Sequence, residues 1–94
     1  MPAMDFDRLP GGTLIRQGLE DLAGARETDA SLLVLVGAPR LRRLGIEVAP
    51  ASHLPAEHRL YERLALVNPD GAHSRYNALI RTLVSFERAA ECVG

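Results

Sequence analysis

The sequence predicts an all-α fold, a small bundle of four or five helices with a C-terminal antiparallel helical hairpin. Three observations lead there. Apolar residues make up 47% of the 94 residues and are mainly leucine and alanine, with 4% aromatic residues and no tryptophan. Leucine and alanine enter helices at little cost, whereas β-rich domains draw on aromatic and β-branched residues. From Ala72 to Cys92 six apolar residues recur at helical spacing with no glycine or proline between them, and the turn sequence Asn68-Pro69-Asp70-Gly71 directly precedes that stretch. The length supports one domain, residues 1–94.

Residues 1–12 read as an N-terminal arm. Phe6 and Leu9 are apolar, yet nothing periodic organises them or gives them a home in a compact bundle. A first helix is expected from Thr13, whose hydroxyl can cap the free N–H groups of the opening turn. Ile15, Leu19 and Leu22 form its apolar stripe, with Leu14 and Ala23 at the edges. Gly18 interrupts the stripe. Glycine costs about 1 kcal/mol inside a helix, so its presence there implies another helix crossing closely.

Thr28 or Asp29 caps the next element. Leu32-Leu33-Val34-Leu35-Val36 is continuously apolar, which periodicity alone cannot assign to helix or strand. The cap before it and Gly37 after it favour a short helix. Pro39 suits the first turn of a third helix, Pro39–Leu44, closed by Gly45. Residues 46–50 read as extended and 51–54 as loop. Pro55 opens a fourth helix with Glu57 near its positive end and Leu60, Tyr61, Leu64 and Val67 on its buried face. In the last helix Tyr76, Leu79, Ile80, Leu83, Phe86 and Ala90 line one face, while Arg81, Ser85 and Arg88 lie on the other.

Charge excludes more than it assigns. All 11 basic residues are arginine, the signature of a genome rich in G and C, and the net charge of -1 gives no field to attract nucleic acid. Cys92 is the single cysteine, so no intramolecular disulfide forms, which fits a reducing compartment. The first residues have neither the basic nor the apolar segment of a secretory signal. No apolar run approaches the roughly 20 residues of a membrane helix. A cytoplasmic chain without membrane contact is expected.

The sharpest candidate for chemistry is residues 29–45. A helix, a tight Gly37-Ala38-Pro39 turn and a helix bearing Arg40, Arg42 and Arg43 outline a helix-turn-helix, and a guanidinium can pair bidentately with guanine or grip phosphate. The proline in the turn, the short second helix and the charge balance weigh against it. His73, Ser74, Arg75, Tyr76 and Asn77 form the densest polar cluster, at a helix start where an anion can meet free N–H groups, with Ser74, His73 and Arg75 adding contacts.

Other constellations are incomplete. His53 and His58 lack further ligands for a metal, and Asp5 and Asp7 lie on the arm. Pro10-Gly11-Gly12-Thr13 shares only its glycines with a phosphate loop. Cys92 has no neighbouring base to activate it. No catalytic residue, metal or cofactor is therefore expected. The function expected is a non-catalytic protein–protein interaction module, such as a small subunit, adaptor or antitoxin-like partner. A helix-turn-helix nucleic-acid binder is the alternative. A chain this short has a high surface-to-volume ratio. Leu66 and Val84 at the edges of their stripes, with Phe6 and Leu9 on the arm, point to a homodimer or a complex with another protein.

Overall fold

A computed structural model describes residues 5–50 and 55–93, apart from the side chain of Val93. Its elements, in order, are a 3-10 turn at Phe6–Arg8, then α1 (Gly12–Ala23), α2 (Asp29–Val36), α3 (Ala38–Arg43), α4 (Ala56–Val67) and α5 (Ala72–Val93). No strand occurs among the described residues. The fold is all-α with five helices, and the turn at residues 68–71 folds α5 back on α4 as the expected hairpin.

α2 is the hub. It packs against α1, α3, α4 and α5, and Leu32, Leu33 and Val34 are buried with Leu35 and Val36 half-buried. A helix apolar on all sides has no face to give to water and so belongs in the middle of a bundle. The continuous run resolves to helix because its start is fixed locally. The Thr28 side chain accepts from the Ser31 amide at 3.0 Å, and Ser31 Oγ accepts from the Thr28 amide at 2.8 Å. This reciprocal capping box satisfies two of the donors a helix start leaves free.

α1 crosses α2 at Gly18. A Cβ on Gly18 would meet the Ala30 carbonyl and lie 2.6 Å from Val34 Cγ2, so only glycine allows this approach. The expected packing role of Gly18 is confirmed. The start of α1 differs from expectation, because the cap is Gly11, in the left-handed conformation at φ 72°, and the helix begins at Gly12. The chain enters α1 directly from the 3-10 turn, through Gly12 N to Leu9 O at 2.9 Å. Thr13 thus falls inside the first turn, where its hydroxyl donates to Asp7 Oδ1 at 3.2 Å. The expected stripe of Leu19 and Leu22 is only half-buried. Ile15, Gly18 and Asp21 form the buried row instead.

α3 ends in a Schellman motif. Ile46 N donates to Leu41 O and Gly45 N to Arg42 O, both at 3.0 Å, with Gly45 at φ 89°. Ile46 and Val48 are then buried against the core. Residues 51–54, expected as loop, lie outside the described residues.

Two corrections concern α4. Leu60 and Leu64 are buried, but Tyr61 is 38% exposed and Val67 87% exposed. No described neighbour covers the last turn of α4 at Leu66 and Val67, so helical position alone does not bury Val67. α5 follows its sequence pattern: Leu79, Leu83, Phe86 and Ala90 are buried, Tyr76 and Ile80 half-buried, and Arg81, Ser85 and Arg88 exposed. Its N-terminal half pairs with α4, where the Tyr61 and Tyr76 rings lie 5.7 Å apart. Its C-terminal half receives the arm. The arm has a home after all, because Phe6 and Leu9 pack on the core and the Phe6 ring contacts Phe86.

Candidate functional site

The α2–turn–α3 outline is present, yet two of its three arginines serve the fold. Arg40 is half-buried and forms an ion pair with Glu91 on the last turns of α5. The bonded Glu91 carboxylate, reinforced by its charge and that of Glu87, holds the Arg40 guanidinium above its ordinary range. Arg42 Nη2 donates to the Val48 carbonyl at 3.1 Å and fastens the extended segment to α3. Arg43 is exposed. α3 itself has only six residues, shorter than a helix that would track along a groove while keeping its own supports.

His73, Ser74 and Arg75 are exposed on the first turn of α5. They do not converge on a common point. His73 Nε2 accepts from Asn77 Nδ2 at 3.2 Å, while Tyr76 turns inward to Tyr61. Burial, with the Glu57 charge adding to it, pushes the Tyr76 phenol above its usual range.

The remaining candidates are also occupied locally. His58 lies 3.6 Å from Glu62 on the next turn of α4, and His53 lies outside the described residues. Asp5 pairs with Arg8, and Asp7 with Arg16. Among the described residues no three His, Cys, Asp or Glu side chains come together as a metal site. Gly11 and Gly12 act in packing. A Cβ on Gly11 would lie 2.6 Å from Thr82 Cγ2, because the arm passes directly over α5. Cys92 is exposed.

Three further features stand out. Glu87 is 5% exposed and sits under the α2–α3 junction, where Gly37 leaves room for its carboxylate. Burial pushes its pKa above the usual carboxylate range, against the opposing pull of Arg40. Leu66 and Val67 are 83% and 87% exposed at the end of α4. An open groove of about 300 Å³ runs between the arm and α5, lined by Pro10, Gly11, Ala78, Arg81, Thr82 and Ser85. Of these, the exposure of Leu66 agrees with its place at the edge of the α4 stripe, and the groove has a trace in the short side chains of Ala78, Thr82 and Ser85 beside Arg81, whereas Glu87 and Val67 gave no such sign. The chain matches no family model, no curated protein and no solved structure. No helix among the described residues is long and apolar enough to cross a membrane.

Proposed function

We propose that this chain is a non-catalytic protein–protein interaction module that associates through the tip of its C-terminal hairpin. The observation that carries this reading is the exposure of Leu66 and Val67, 83% and 87%, on consecutive positions beside the turn. Fully burying side chains of this size is worth about 1.5–3 kcal/mol each. Two-fold pairing is the arrangement we favour, since it apposes the same apolar residues from both copies. The single cysteine, without a disulfide partner in its own chain, suits a cytoplasmic setting.

Light scattering behind a sizing column tests the proposal. A mass of twice 10.2 kDa is expected, falling to the monomer value when Leu66→Glu and Val67→Glu are combined. A 10.2 kDa species at high concentration excludes the homodimer.

A further inference from the structure

We infer that Glu87, with Arg40 and Glu91, makes the seat of α3 on α5 an acid-closed latch. α3 and the segment behind it lie closed over a protonated Glu87, and they open more often once the carboxylate ionises and takes up water. The latch is independent of the hairpin tip.

α3 meets α5 along one row of side chains. A Cβ on Gly37, at the entry to α3, would lie 2.8 Å from Leu83 Cδ1 and 3.1 Å from Glu87 Oε2. The backbone there passes directly over the carboxylate. Farther along α3, Arg40 pairs with Glu91. Leu83, Glu87 and Glu91 follow one another at four-residue spacing and so share one face of α5. Glu87 is the middle member of that row and is buried.

The charge of Glu87 is poorly compensated in this seat. Arg40 gives its hydrogen bond to Glu91 and acts on Glu87 through charge alone. Glu91, one turn away on α5, opposes that attraction. α2 brings no charge but Asp29 at its first position, which pairs with Arg63. Asp7 of the arm is held by Arg16, and Arg42 of α3 is turned to the Val48 carbonyl. Burial is the largest effect, and it favours the protonated acid.

α3 is also the element most easily lifted. Its six residues are too few to persist as a helix without packing. The Gly45 stop and the bond from Arg42 to Val48 tie α3 and residues 46–48 into one piece. That piece can rise and admit water to Glu87 while α1 and α4 stay packed on α2. The carboxylate gains more from hydration than the acid does. Closure is therefore fully favoured below the ordinary 4.5, and opening gains as pH rises through the higher closed-state value.

Hydrogen exchange of the full chain, followed by NMR on either side of the Glu87 titration, tests the latch. The titration itself is read from the side-chain carboxyl carbon. The amides of Leu41, Leu44, Gly45 and Ile46 bond within α3 and its stop. They should exchange sooner than those of α2 and with a weaker urea dependence, the mark of a local opening. Their opening should increase across the titration by about tenfold for each pH unit that separates the closed from the ordinary value. Glu87→Gln should keep the local opening and remove its pH dependence. Glu91→Gln should move the Glu87 titration to lower pH, since a repelling charge is gone and Arg40 is free to turn to Glu87. Arg40→Gln should move it to higher pH. Exchange of the α3 amides only together with those of α2, a pH dependence that survives Glu87→Gln, or a Glu87 titration at the ordinary position would each overturn the inference.

Discussion

The ring of Phe6 rests on that of Phe86, with centroids 5.6 Å apart and planes tilted by 45°. This contact makes the arm part of the fold, because the half-buried Phe6 packs on the fully buried Phe86 and the core around it. Phe6→Ala should destabilise by about 1–3 kcal/mol, the scale for removing a large, partly buried apolar side chain. A double-mutant cycle with Phe86→Leu should return a coupling of about 0.5–1.5 kcal/mol in urea melts. Additive effects would mean that the rings do not meet in solution.

Gly18 offers a test by sign. At an exposed helix position glycine to alanine stabilises by about 1 kcal/mol. Here the new methyl would strike the Ala30 carbonyl and Val34, so Gly18→Ala should destabilise by about 1–3 kcal/mol and Gly18→Leu by more. A higher melting temperature for the alanine variant would refute the close crossing of α1 and α2.

Acid should expose the role of Asp21. Its carboxylate accepts from the Thr28 hydroxyl at 2.8 Å, from Gln17 at 3.0 Å and from Arg26 at 3.2 Å. The Thr28 bond is the largest of the effects that hold its pKa below the ordinary 3.8. Stability from the ionised form is fully present above that ordinary value and is lost as pH falls through the lower folded value. Thr28→Ala should therefore cost about 1 kcal/mol at neutral pH, the usual loss for a cap. The deficit should shrink as pH drops below 3.8. A deficit that stays constant in melts across this range would show that Thr28 acts through the cap alone.

Glu87 works in the opposite direction. Burial raises its pKa from the ordinary 4.5, with Arg40 opposing and Glu91 adding to the rise. The folded state thus favours the protonated form. Stability is fully present below 4.5 and lost as pH rises through the raised folded value. Glu87→Gln should melt higher than the parent at pH 7, and the gain should fade as pH approaches 4.5. A lower melting temperature at neutral pH would mean that attraction to Arg40 outweighs the cost of burial.

For the nucleic-acid alternative, a filter-binding titration against duplex DNA at moderate ionic strength should show no salt-sensitive binding, given the charge of -1. Micromolar affinity abolished by combining Arg40→Ala with Arg43→Ala would restore the helix-turn-helix reading.

What was legible in the sequence was whatever is fixed within a few residues. The cap at Thr28 or Asp29, the Gly45 stop, the turn at residues 68–71 and the apolar stripe of α5 all rest on neighbours in the chain. The close crossing at Gly18 was legible too, because glycine in a helix is costly without a reason. Long-range facts were not. Helical position placed Val67 inside, but whether a neighbour covers it depends on packing by residues distant in the chain. Arg40 and Arg42 looked available because their partners, Glu91 and the Val48 carbonyl, lie elsewhere in the chain. The burial of Glu87 had no signal at all, since an acidic residue near a helix end normally reads as surface.

The all-round apolar character of α2 also bears on synthesis. At about 5–20 residues per second, the 57 residues from Val36 to Val93 take roughly 3–11 s to synthesise. Of the described helices that pack on α2, α1 alone precedes it, so the sides taken by α3, α4 and α5 are covered by segments made later. The Leu32–Val36 run therefore gains its full cover only once segments synthesised after it have folded back onto it.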